Sequence, residues 1–137
     1  MMQLHATTVA LNGVGLVILG PSGSGKSGLA LELMAVGALL VADDRTDLRR
    51  QDGRLIAQAP PALLGWIEAR GVGILSARPS PPVPVGLACD LGRVEEDRLP
   101  QVRHQEWLGV RVSLVLGPYR PHLCAALRQL MLGRRLA

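Results

Sequence analysis

The run Gly20-Pro21-Ser22-Gly23-Ser24-Gly25-Lys26-Ser27 fits the pattern G-x-x-x-x-G-K-[ST] at every position. Such a loop needs a strand to deliver it and a helix to leave it, and the flanking residues supply both. Gly15–Leu19 (GLVIL) is an apolar strand. From Lys26 to Val36, the apolar residues Leu29, Ala30, Leu33 and Met34 recur at helical spacing, and Gly37 is placed to end the helix. Glycines allow successive backbone N–H groups to turn inward without a Cβ in the way, and the helix aims its positive end at the same point. A polyanion is what such a cradle accepts.

The charge composition sharpens this reading. Of the 15 basic residues, the lysine in the loop, Lys26, is the sole one that is not arginine. A compact ammonium fits among phosphates where a planar guanidinium fork does not. The expected ligand is therefore a nucleoside triphosphate, ATP, cradled by Gly20, Pro21, Ser22, Gly23, Ser24, Gly25, Lys26 and Ser27. Lys26 would reach the β- and γ-phosphates, and the Ser27 hydroxyl would complete a Mg²⁺ shell.

Around this unit the chain predicts an α/β fold on a mixed sheet with flanking helices. Gln3–Leu11 alternates, and Asn12-Gly13 turns it into Gly15–Leu19 as a hairpin. Leu39–Ala42 is a short strand ending in Asp43-Asp44, and Gln51-Asp52-Gly53 joins strands Asp47–Arg50 and Arg54–Gln58. Gly73–Ala77, Val83–Leu91 and Val110–Leu116 are further strands, and Pro121 opens a last helix with Leu123, Leu127 and Leu130 on one face. The proline-rich stretch Arg78–Pro84 reads as an extended surface loop. The length, 137 residues, predicts one domain over 1–137 with one core.

Net charge is +4, from 15 basic and 11 acidic residues, with the basic ones scattered. Phe is absent, and the aromatics are Trp66, Trp107 and Tyr119, so no basic stripe with stacking rings argues for nucleic acid. No apolar run reaches the ~20 residues of a membrane span, and MMQLHATTVALNG lacks the features of a secretory signal. A cytoplasmic protein with Cys89 and Cys124 as buried free thiols is expected.

Phosphoryl transfer also needs a carboxylate at a strand end, to orient the metal or take a proton. Asp43-Asp44 ends one strand directly after the helix, and adjacent like charges favour a base. Asp90, two residues before Gly92, reads as a turn residue. On pattern alone His5 is an ordinary strand residue, and Glu68-Ala69-Arg70-Gly71 an exposed turn.

The glycine-rich loop, LVADD and IEARGVGIL, read in that order, resemble the catalytic domain of bacterial HPr kinase/phosphorylase, a family with a P-loop fold like that of PEP carboxykinase. The resemblance implies an ATP-dependent protein kinase acting on a serine of the phosphocarrier HPr or a nitrogen-branch paralogue, with reverse phosphorolysis in the same family. It implies that Lys26 holds the transferred phosphate and that Ser27 and Glu68 bind the divalent metal. It implies Asp44 as proton acceptor, with His5 and Arg98 completing the active centre, and a homo-oligomer, hexameric in the family. Against the family pattern, an N-terminal domain is expected to be absent and the Gly71–Arg98 stretch is short. Leu116–Pro121 is a poor match to the basic segment used in phosphorolysis, so kinase activity carries over better. Two other readings stay open: a small-molecule kinase or ATPase with the same loop, and an ATP-sensing module that transfers little. Against the former stands the lack of an Arg-rich lid and of an LSGGQ-like sequence.

Overall fold

The computed structural model describes residues Met1–Ala137. A short strand β1 (Met2–Leu4) breaks at His5-Ala6 and resumes as β2 (Thr7–Leu11). The alternating pattern predicts one strand here, but the two pieces serve different neighbours. β1 pairs with β5 (Thr46–Gln51), whereas β2 pairs with β3 (Val14–Leu19) and β4 (Leu39–Ala42). Asn12 and Gly13, with φ of 56° and 73°, make the β2–β3 turn in the left-handed region that a two-residue hairpin requires. Asp52 and Gly53 do the same between β5 and β6 (Arg54–Gln58), at 52° and 73°.

The glycine-rich loop leads from β3 into α1 (Lys26–Ala35). After a single 3₁₀ turn at Pro61–Leu63, β7 (Trp66–Ala69) and β8 (Gly73–Ser76) form a separate two-stranded hairpin. Glu68 and Ala69 thus lie on a strand, and the expected exposed turn is confined to Arg70–Val72. The long strand β9 (Val83–Val94), β10 (His104–Trp107), β11 (Val110–Gly117) and α2 (Leu123–Leu132) complete the chain. Sequence patterning misses β10 and places Asp90 in a turn, whereas Asp90 is internal to β9 and pairs in register with Leu19 and Leu116. The proline-rich stretch is extended, as expected, but not all surface. Ser80 is buried, its N–H donates to Leu40 O (2.8 Å), and Leu40 N–H donates to Arg78 O (3.0 Å). This segment covers the open edge of β4.

The main sheet is nine-stranded and mixed, in the order β1-β5-β6-β9-β3-β2-β4, with β11 also on β9 and β10 on β11. β9 changes partner along one edge: Val83 and Pro84 pair with β6, and Leu87–Asp90 with β11. The sheet therefore forks, and Arg50 bridges the fork by donating to Leu108 O (3.1 Å). Gly86 makes the switch possible. It is skipped in the β3–β9 register, and a Cβ there would sit 2.5 Å from Val14.

Helices cover one face of the sheet, where Val9, Leu16, Ile18, Leu87 and Cys89 pack with Leu29, Leu33 and Leu127. The curled branches close over the other, where Val17, Val41, Leu48, Leu55, Ala88, Val112 and Leu114 form a second core. Buried on both sides, β3 and the Leu87–Cys89 stretch of β9 read as continuous apolar runs rather than alternating ones. Burial pushes the Cys89 thiol up to about 12, so it is a core group and not a nucleophile. No helix is long and apolar enough to cross a membrane.

Candidate active site

β3 and β4 are both antiparallel to β2, so their carboxyl ends lie at the same edge as the start of β2. That edge gathers the glycine-rich loop after β3, Asp43-Asp44 after β4, and His5 to Thr7 before and at the start of β2. The hairpin β7–β8 is added from the side. The result is a cleft of about 450 Å³ whose lining includes His5, Thr7, Lys26, Ser27, Asp44 and Glu68.

The loop is held open by its glycines. Gly20, Gly23 and Gly25 have φ of 147°, 85° and 102°, and a Cβ on Gly20 would collide with Ser24 Oγ at 2.4 Å. Of the loop's N–H groups, Ser24 N–H donates back to Pro21 O (3.1 Å), and the first intrahelical bond of α1 runs from Leu29 to Gly25 (2.9 Å). The N–H groups of Gly23 and Gly25, and those of the first helical turn, have no backbone acceptor and converge at a positive helix end. Ser24 Oγ is buried without a partner. These donors suit an anion with several oxygens. Lys26 is 7% exposed, and its Nζ donates to Gly20 O (2.8 Å) and Pro21 O (3.1 Å). Its charge is thereby folded over the cradle.

Asp43 is the organising group. Its Oδ1 accepts from Thr7 Oγ1 (2.9 Å) and Ser27 Oγ (2.7 Å), and its Oδ2 accepts from the Glu68 N–H (2.9 Å). At 8% exposure it is a buried, fully hydrogen-bonded carboxylate that joins β2, α1 and β7. Asp44 is placed differently. It adopts φ of 66°, one of the left-handed positions that Asp tolerates, and its N–H donates to Thr7 Oγ1 (3.3 Å). Its Oδ1 lies 2.6 Å from His5 Nε2, on a solvent-facing rim where both side chains are more than half exposed. With Asp44 ionised, the imidazole Nε2–H is the donor. Two neighbouring aspartates thus hold different positions: one clamps the site together, and the other faces what enters it.

Of the residues expected at the site, His5, Lys26, Ser27, Asp44 and Glu68 line one cleft together with Ser22, Gly23 and Gly25. Gly20, Pro21 and Ser24, expected in the cradle, belong to the loop but not to the cleft wall, and Arg98 does not join the cleft residues. It is exposed on the connection between β9 and β10 and lines none of the cleft. Thr7, which sequence reasoning misses because a buried strand threonine carries no motif, supports both aspartates. In sequence Asp43 reads only as half of a pair; its separate role follows from which side of the strand end it faces.

The profile of the HPr serine kinase C-terminal domain family matches residues 1–80. The chain is 45% identical over 73 residues to an HPr kinase/phosphorylase of Clostridium botulinum, covering 53% of this chain. It is 46% identical over 74 residues to HPr kinase/phosphorylase 1 of Oceanobacillus iheyensis. The match spans 24% of each of these relatives, about a quarter of their length. Among solved structures, the Hpr(Ser) kinase/phosphatase from Coxiella burnetii superposes with a TM-score of 0.82 at 27% identity, covering 96% of this chain and 94% of that one.

Proposed function

The chain belongs to the HPr serine kinase C-terminal domain family, and from that membership and the cleft we propose that it is an ATP-dependent protein-serine kinase acting on an HPr-type phosphocarrier. The observation that carries this reading is the placement of a phosphate cradle and an accessible carboxylate in one cleft. Lys26 and the free loop N–H groups would bind the β- and γ-phosphates, exchanging the two carbonyl contacts of Lys26 for phosphate oxygens.

The carrier serine Oγ attacks the γ-phosphorus, the bond from that phosphorus to the β,γ-bridging oxygen breaks, and ADP leaves. Asp44, open to the entering hydroxyl, takes the serine proton. His5 orients Asp44 through the 2.6 Å contact. Asp43 keeps Ser27 and Glu68 in place for the metal. No three His, Cys, Asp or Glu side chains lie close enough to hold a metal by themselves. Such a sparse oxygen donor set fits Mg²⁺, which Ser27 and Glu68 would hold alongside phosphate and water oxygens. When bound, Mg²⁺ neutralises charge on the phosphates. Arg98 is assigned to this reaction by family resemblance alone.

Labelled ATP, Mg²⁺ and purified phosphocarrier test the proposal. We expect label on a carrier serine that disappears with Lys26→Ala. Label on a small metabolite in place of the carrier would refute it, as would nucleotide binding with no transfer to any carrier. Inorganic phosphate added to the phosphorylated carrier tests the reverse direction, in which we expect slow release of pyrophosphate.

A further inference from the structure

The phosphoryl-transfer chemistry uses the polar lining of the cleft. It leaves unused an apolar part formed by Leu31, Ala69 and Val72, with Arg70 and Gly28 beside them. Their arrangement follows from the Asp43 clamp. Asp43 binds Ser27 at the start of α1 and the Glu68 N–H in β7, so the two elements leave a common anchor. From there α1 advances through Gly28 to Leu31, one turn beyond Ser27 on the same face. The hairpin advances alongside through Ala69 and Arg70 to Val72.

Val72 is 75% exposed and contributes nothing to either core, yet its place is well defined. Its N–H donates to Ala69 O (2.9 Å), and Gly71 at φ of 82° completes the tight turn that carries it. Across from it, the helix surface at Gly28 is bare, since a Cβ built there meets nothing within 4 Å. The apolar part of the cleft therefore lies beside the first turn of α1. Among these five residues Arg70 has the one polar side chain, while Thr7, Ser22, Ser27, Asp44 and Glu68 of the same cleft belong to the part used by the phosphates, the metal and the proton.

We infer that the corner formed by Gly28, Leu31, Ala69, Arg70 and Val72 holds the base of the nucleotide by apolar contact and guanidinium stacking, with little discrimination between purines. This rests on the P-loop binding a nucleoside triphosphate and names the other end of the same ligand. Apolar burial and stacking act on any planar ring, whereas selectivity between adenine and guanine needs positioned donors and acceptors.

Isothermal titration of the wild type, Val72→Ser and Val72→Ile with Mg-ATP, Mg-GTP and Mg-tripolyphosphate tests it. We expect ATP to bind about tenfold or more tighter than tripolyphosphate, and GTP within about threefold of ATP. Val72→Ser lowers ATP affinity about fivefold while tripolyphosphate binds as before, and Val72→Ile keeps the ATP affinity. The inference is overturned if ATP binds no tighter than tripolyphosphate, if GTP binds more than tenfold weaker than ATP, or if Val72→Ser leaves ATP binding unchanged. Equal weakening of ATP and tripolyphosphate by Val72→Ser would also overturn it, by making the effect a disturbance of the cradle. If neither ATP nor tripolyphosphate binds the wild type, the P-loop reading itself fails and this inference falls with it.

Discussion

Residues 1–80 and 81–137 answer to different constraints. The first region is matched by the family profile and holds the proposed phosphate, metal and proton-transfer residues other than Arg98. The second lies beyond the profile, yet the similarity in three dimensions covers 96% of the chain. Its contribution is structural. β9 lies between β3 and the strands of both branches, and Leu87, Cys89, Leu91, Leu123 and Leu127 share one core with Leu29 and Leu33 of α1. Apolar side chains of similar volume exchange at such positions at small cost, whereas a lysine among phosphates or a carboxylate beside a hydroxyl does not. The same fold can therefore keep its shape while its second region loses recognisable sequence.

The sharpest test of this division is Asp44→Asn. The carboxylate is exposed at the rim, so we expect transfer to fall by about a hundred- to ten-thousandfold, with a melting temperature close to wild type. A large loss of stability would show that Asp44 is structural as well. Asp43→Ala crosses the division inside the first region. It strands the Thr7 and Ser27 hydroxyls and the Glu68 N–H, and should cost about 2–5 kcal/mol in denaturant unfolding together with weaker nucleotide binding. Leu127→Ala, in α2 and 1% exposed, should cost about 2–4 kcal/mol while leaving the nucleotide Kd within about twofold. A marked change in Kd would mean that the second region shapes the cradle.

Arg98→Ala probes the residue on which family resemblance and geometry differ. Because Arg98 stands outside the cleft, we expect nucleotide affinity to be unchanged and transfer to fall less than about tenfold. A loss as large as that of Asp44→Asn would bring the second region into the chemistry. The smallest effect is electrostatic and lies wholly in 81–137. The Arg103 guanidinium, 2.9 Å from Glu95, holds the Glu95 carboxyl below its usual 4.5. A depressed carboxyl stabilises the fold above its unfolded value, and that contribution is lost as pH falls through the folded value. Melting temperatures followed from neutrality to below pH 4.5 should therefore drop less steeply for Arg103→Gln than for wild type.

Much of the first region is legible from local chemistry. The glycine-rich loop, the strand before it, the helix after it and both two-residue hairpin turns are set by near neighbours in the chain. So are Lys26 and Ser27, whose positions in the motif give their contacts. The rest needs partners distant in sequence. The break at His5 is hidden because no turn residue marks it in Gln3–Leu11, and what separates β1 from β2 is that they pair with different strands. Glu68 reads as a turn because β7 is only four residues long: its alternation of exposed Trp66 and Glu68 with buried Ile67 and Ala69 is too brief to stand out, and its partner β8 is exposed throughout. Asp90 sits inside a strand because β3 and β11 flank it, which no local signal for a turn reveals.

The sequence by itself determined that this chain presents a phosphate cradle between a strand and a helix, with a pair of carboxylates one strand later. Only the tertiary structure decided what each carboxylate does. Thr8 pairs with Ala42 and Val9 with Leu40, so Val41 is left unpaired as a bulge. Leu40 faces the helices, but both Val41 and Ala42 face the other core. The extra residue shifts the alternation by one, and Asp43, not Asp44, meets Ser27 at the helix side. Asp44 is left to turn through a positive φ toward His5, thirty-nine positions away in sequence. Register between strands is a property of their pairing, and pairing is set by the packed sheet as a whole.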